Sequence, residues 1–240
     1  MKLRIKFSKH GAIRYIGHLD VMRFFQKAIR RAEIDVTYSQ GYSPHQIMSF
    51  AQPLSVGHES NGEYMDLQVN SLTDCEDVKN RLNAVSVEGI QVGSVIVLPD
   101  NAVNAMASVA AAEYTVYFKD GRAPKSDITC ILQDFMNRPE ILYTKESKKG
   151  TREVDLKQGI YELSYDPEQG MLHMVLDASS GSNIKPVQVV EALLATNGEI
   201  LQDNALFVTR EDTLTNIGSE ESPQFVPLNH HTLAAEEESK

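Results

Sequence analysis

The sequence predicts an α+β fold built from two β-α-β-β-α-β units and closed by a polar tail. Three observations predict it: apolar residues that alternate at the very start, a helical period directly behind them, and the same order of elements again in the second half. A chain of 240 residues has room for two domains of ordinary size, at about 100 to 200 residues per domain.

Leu3, Ile5 and Phe7 alternate with Lys2, Arg4 and Lys6, the period of a half-buried strand over 2–8. A helix follows within Ile16 to Ile34, where Leu19, Met22, Phe25, Ile29 and Ala32 recur at spacings of three or four. "DVTY", 35–38, reads as a short strand, and a loop punctuated by Gly41 and Pro44 runs through Gln46. Residues 47–51 and 63–69 look extended, with a turn at Gly62. "SLTDCEDVKNRLNAVS" is a second helix with Ser71 or Thr73 as its N-cap and acids in its first turn, and 89–98 is a strand stopped by Pro99. The second half supplies a strand at 112–118, a helix at 125–137, a strand at 140–147, a strand at 171–178, a helix at 185–196 with Pro186 in its first turn, and a strand at 204–210. "VDLKQGIYELSYDPEQG" is an added strand or short helix between the third and fourth of these. The pattern is that of two tandem ferredoxin-like (βαββαβ) domains, 1–99 and 112–210, joined by a linker at 100–111. Residues 211–240 hold seven acids against one lysine, which predicts an acidic disordered tail.

Apolar residues at 42% and charged residues at 23% exclude a collagen-like or largely disordered chain. The charge of the opening strand interrupts any signal-peptide core, and no apolar run approaches the roughly 18 residues of a membrane span, so a cytoplasmic protein without membrane contact is expected. Cys75 and Cys130 stand far apart, without the second cysteine that a metal site needs, and His230–His231 has no accompanying ligands, so neither metal nor cofactor is expected. The net charge of −10 is unevenly placed. Residues 1–45 carry nine Lys and Arg against three acids, so that segment is +6 and the remainder −16. A basic face on an acidic body is the pattern of an anion-binding surface, although solvated helix and strand faces give it too.

One constellation stands out: Arg14, His18, Asp20 and Arg23 at the start of the helix, with Tyr42, Ser43 and His45 in the loop behind it. Free amides and the positive dipole end favour an anion beside His18, Arg14 and Arg23 add cationic contacts, and Lys27 and Arg30 continue the charge along the helix. Tyr42 offers a ring for base stacking, and Pro44 keeps Ser43 extended. These are the residue types of an RNA site; they also build ordinary loops. His18 and His45 are candidate acid and base for RNA cleavage if they meet in space, and capping or core roles are the plainer alternative. A second basic cluster, Lys148, Lys149 and Arg152 around Gly150, is either a solvated hairpin tip or a further phosphate contact.

The stretch "KHGAIRYIGHLDVMRFFQKAIRRAEIDVTYSQGYSPHQIMSFAQPLSVGHESNGEYMDL" resembles the radical-SAM-linked proteins, a domain of unknown function found fused to, or associated with, radical SAM proteins. The resemblance is strong over residues 1–69, continues through "AAEYTVYF" and returns at "KKGTREVDLKQGI". It rests on Arg14, His18, Leu19, Asp20 and Arg23, then Gly41, Pro44 and His45, then Leu54, Gly57, Ser60, Glu63 and Tyr64. Gly17 stands where that family has Ser, Ser43 where it has Asn, and Gln46 where it has Pro. The resemblance implies a partner: a radical SAM enzyme holds its cluster by three closely spaced cysteines, this sequence has no such run, and the enzyme would be a separate chain. The expectation is a non-catalytic RNA-binding or substrate-presenting partner of that enzyme. The alternatives are a metal-independent endonuclease of the tandem ferredoxin-like, guide-RNA-processing kind and a protein-interaction subunit.

Overall fold

Leu3, Ile5 and Phe7 are all buried on one face of β1 (Lys2–Lys9), as their alternation requires. The computed structural model describes residues 1–147 and 150–230. After β1 a 3₁₀ turn, Gly11–Tyr15, leads into α1 (His18–Arg31), which lays Val21, Phe25, Ala28 and Ile29 into the same core. The Phe7 and Phe25 rings meet there at 4.6 Å. The chain continues through β2 (Met48–Phe50), β3 (Glu59–Gln68), α2 (Cys75–Ala84) and β4 (Ile90–Leu98). Antiparallel pairing gives the order β4-β1-β3, and β2 takes the opposite edge of β3 through Met48, Ser49 and Phe50.

A short helix, α3 (Ala105–Ser108), precedes β5 (Ala111–Phe118), α4 (Ile128–Asn137), β6 (Leu142–Ser147) and β7 (Gly150–Asp155). A second 3₁₀ turn, Lys157–Gly159, then β8 (Ile160–Asp166), β9 (Met171–Asp177), α5 (Pro186–Ala195), β10 (Leu206–Asn216) and β11 (Phe225–Pro227) complete the described chain. It is an α+β architecture that divides into two compact units. One is Met1–Ala110 with the residues from Arg210 onward, the other Ala111–Thr209. In the second unit the strand order is β10-β5-β9-β8, to which β10 contributes residues 206–209; Tyr114 and Val116 stand opposite Met174 and Leu172 and are buried with them, and Phe135 of α4 and Leu193 of α5 are buried too. No helix among the described residues is long and apolar enough to cross a membrane.

Four expectations are corrected. Residues 35–38 form no strand, because Val36 bridges to Val69 while Tyr38 bridges to Gln46, and two different partners make no ladder. The strand at 140–147 does not enter the sheet of the second unit. β6 pairs with β7, from Leu142 opposite Asp155 to Ser147 opposite Gly150, as a separate hairpin, and β8 takes the place beside β9. The helix at 71–86 starts at Cys75 behind Asp74, since the Ser71 hydroxyl is engaged elsewhere, donating to Asp35 at 2.7 Å. Residues 211–230 are not a disordered tail. Residues 214–216 pair with 225–227, and Leu214 and Leu228 are buried. Acidic composition over the whole window hides two short apolar runs that dock on the first unit. Residues 231–240, with His231, lie outside the described residues.

Leu228 is 1% exposed. Leu228→Ala should therefore lower the unfolding free energy by about 2–5 kcal/mol in urea titration. An unchanged midpoint would mean that this segment is a dispensable tail after all.

Candidate functional site

Alternation sends Arg4 and Lys6 to the face of β1 opposite the helices, where the sequence suggests solvent. The structure covers them instead. Arg4 is 4% exposed; its Nε and Nη2 donate to Asp66 at 2.8 and 3.1 Å, and its remaining N–H groups reach the carbonyls of Leu228 and Val103, both at 3.0 Å. The Asp66 carboxylate also accepts the Ala105 amide at 2.7 Å. Lys6 donates to Asp212 at 2.6 Å, and Tyr64 donates to the same carboxylate at 2.7 Å. Burial, with the Asp212 charge beside it, pushes the Tyr64 phenol far above its ordinary value.

On the helix face the run Leu3, Ile5, Phe7 ends in Lys9, which is 3% exposed. Its Nζ donates to the Ile16 carbonyl at 2.9 Å, tying β1 to the chain that enters α1. Burial pulls the Lys9 ammonium below its ordinary pKa, although the Glu63 charge opposes this. Glu63 itself is paired with Arg210 at 2.9 Å. Lys9, His18, Gln52 and Glu63 line a cavity of ≈ 10 Å³ together with Phe7 and Phe50, about the space of one water. His18 is the first residue of α1, behind Gly17, and its ring packs edge-on against Phe50 at 5.2 Å. Arg14 is likewise held from within: it donates to Glu59 at 3.1 Å and lies 4.9 Å over the Tyr15 ring. Glu59 gathers three donors, with His10 Nδ1 at 3.0 Å and the Gly11 amide at 2.9 Å beside Arg14. Burial alone would raise the Glu59 carboxyl; the hydrogen bonds from His10, Gly11 and Arg14 outweigh it and hold the group below its ordinary value.

His45 sits in different surroundings. Its Nδ1 and backbone amide both meet the Ser39 hydroxyl, at 2.8 and 3.1 Å, which closes the loop that carries Ser43 and the fully exposed Tyr42. The next residue, Gln46, donates to the backbone carbonyl of Gln26 at 3.2 Å. Gln26 lies two turns beyond His18, about 12 Å along the helix axis at 1.5 Å per residue. His18 is thus brought together with Lys9 and Glu63, and not with His45.

Along α1 Asp20, Arg23, Lys27 and Arg30 are exposed on one stripe, and Leu19 and Arg31 are exposed beside it. Arg23 and Asp20 form a surface pair at 3.1 Å. Among the described residues Lys27 and Arg30 have no hydrogen-bond or ion-pair partner. In the second unit Arg152 is exposed on β7, directly opposite Lys145 on β6. Lys148 and Lys149 lie outside the described residues. Cys75 and Cys130 do not pair, and among the described residues no group of three His, Cys, Asp or Glu side chains could hold a metal ion. Sequence reasoning passed over Lys9, Gln52 and Arg210. The signal for Lys9 was present: it falls on the parity of Leu3, Ile5 and Phe7, and a lysine on the apolar parity of a strand is bound for the interior.

A family model described as "Uncharacterized protein conserved in bacteria (DUF2344)" matches residues 2–186. No curated protein matches the sequence. Among solved structures, a chain from "Crystal Structure of a Cbf5-Nop10-Gar1 Complex" is similar over 88% of this chain and 48% of its own length, at 10% identity and a TM-score of 0.47. This chain thus spans about half the length of that one.

The Glu59 hub gives the pH prediction. A carboxyl held below 4.5 in the folded state stabilises fully above that value and loses its contribution as pH falls through the folded pKa. Below pH 4.5 the native protein should lose stability faster than Glu59→Gln, read as thermal midpoints across a pH series. Parallel curves would remove Glu59 from the acid-sensitive groups.

Proposed function

We propose, for a chain that belongs to the DUF2344 family of uncharacterized proteins conserved in bacteria, that α1 is an RNA-contacting surface and that the protein presents substrate without catalysing a reaction. The observation that carries this reading is the sorting of its cations. Arg4, Lys6, Lys9 and Arg14 are engaged inside the first unit, whereas Arg23, Lys27 and Arg30 project from one stripe of α1. Spacings of four and three place them on one helix face, with neighbours about 5–6 Å apart at Cβ. Asp20 is the acid of that stripe, and its exposed pair with Arg23 is of the weak kind that a phosphate displaces readily.

Tyr42 supplies a fully exposed ring on the loop anchored to α1 through Gln46, and Tyr38 is exposed at its base. Rings beside a line of cations suit single-stranded RNA, because stacking tolerates any base while the cations follow the backbone. His18 and His45 in separate surroundings favour binding over acid–base cleavage. The two β-α-β-β-α-β strand orders, β4-β1-β3 with β2 at the edge and β10-β5-β9-β8, support reading the units as tandem ferredoxin-like domains. The partner implied by the resemblance is a radical SAM enzyme. Two distant cysteines within these 240 residues are too few for its cluster, so that chemistry belongs outside this sequence.

A titration with single-stranded RNA at rising salt tests the proposal. The native protein should bind with a negative slope of log affinity on log salt, and Arg23→Ala, Lys27→Ala and Arg30→Ala should each reduce that slope by about 0.7. Absent or salt-insensitive binding would overturn it, and so would RNA cleavage that His18→Ala abolishes.

A further inference from the structure

The β6–β7 hairpin places Lys145 directly opposite Arg152, on the strand face that also carries Tyr143 and Val154. That face is turned toward α5, because the Tyr143 hydroxyl donates to Glu191 at 2.6 Å. Lys145, Arg152 and Val154 line one side of a cavity of ≈ 270 Å³; Gly181, Ser182 and Gln188 line the other, from the loop ahead of α5 and from its first turn. Two like charges directly opposite one another in an antiparallel pair destabilise it. Among the described residues neither cation has a hydrogen-bond or ion-pair partner. Asp155 lines the cavity as well; its carboxylate accepts the amides of Ile141 at 2.8 Å and Lys157 at 2.9 Å, and against its one charge the lining holds two cations.

We infer that this cavity binds the phosphoryl group of a phosphate monoester. The two cations outnumber the one acid of the lining, and a monoester phosphoryl group has three free oxygens for the Arg152 fork, Lys145 and Ser182, where a carboxylate or an internal phosphodiester has two. Arg152 brings a planar fork that fits two phosphate oxygens, Lys145 a compact point charge, and Ser182 a hydroxyl. An anion there also meets the positive end of the α5 dipole. The volume lies just under the ~300 Å³ at which small-molecule pockets begin, enough for a phosphoryl group and part of its sugar. The ligand is then a small phosphate monoester, of which a mononucleotide is the probe, or the terminal phosphate of a nucleic acid, and not the interior of a strand. The inference does not depend on the reading of α1.

The test is calorimetric titration of the full chain with inorganic phosphate, a 5′-mononucleotide, and two short oligoribonucleotides that differ only in a 5′-phosphate. Monoesters should bind, and Lys145→Ala and Arg152→Ala should each weaken them by about tenfold, with Arg152→Lys between Arg152→Ala and the native protein. The salt-dependent RNA binding assigned to α1 should persist in these variants, so failure of one proposal is distinguishable from failure of the other. Binding by phosphate and mononucleotide supports the site with a free nucleotide as its source. A gain confined to the phosphorylated oligonucleotide supports it with an RNA end. No monoester binding at millimolar concentration, or equal affinity in native and both alanine variants with unchanged thermal midpoints, would overturn it.

Discussion

Arg4 and Asp66 face each other across β1 and β3, and what covers that side of the first unit is attached through the bonding capacity they have left over. Burying a guanidinium and a carboxylate carries an effective penalty of several kcal/mol per ion, so such a pair holds only when its remaining donors and acceptors are filled. Here they are filled from far along the chain. Val103 and Leu228 give carbonyls to Arg4, and Ala105 gives an amide to Asp66. The same pair that would be a liability alone therefore fixes the segment around α3 and the chain at Leu228, just past β11. This is why residues 225–228 are ordered despite a composition that argues for disorder.

The same constraint decides which charges can act on a ligand. A basic N-terminal segment suggests a field, but a cation already paired inside a fold contributes little to an external anion. Lys6 is taken by Asp212, Lys9 by the carbonyl of Ile16, and Arg14 by Glu59. Arg31 donates to the Val85 carbonyl. The excess positive charge of residues 1–45 thus reduces, as a surface feature, to one stripe of α1. That stripe is the part of the segment free to exchange water for phosphate without dismantling the fold.

How far the sequence revealed this depended on the reach of each interaction. Periodicity is local, so it found β1, α1, β5 and both later helices, where Leu3, Ile5, Phe7 and Phe25 announce their own face. Burial of Arg4 was illegible, because its partners lie 62 to 224 residues away and alternation alone sends it to solvent. Lys9 was legible from parity alone, since it shares the strand face of Leu3, Ile5 and Phe7. His18 and His45 share a motif in the chain but not a neighbourhood in the structure: the loop of His45 is clasped by Ser39, and its next residue is anchored two turns further along α1. For β6, residues 140–147 predict an extended segment, yet a strand pattern does not name its partner. Gly150 was the clue that the partner is the next strand.

That hairpin also shows why charge that burdens a fold is more informative than charge that decorates it. An isolated two-stranded ribbon is marginal in water, so β6 and β7 need an anchor. They have one in the Tyr143–Glu191 hydrogen bond and in the buried Ile141 and Leu156 at their base. Anchoring fixes which face turns toward α5, and with it the positions of Lys145 and Arg152. Held over the loop ahead of α5, they line a cavity whose acid, Asp155, is already bonded to two backbone amides, and an anion from outside the chain is the simplest species that relieves the repulsion.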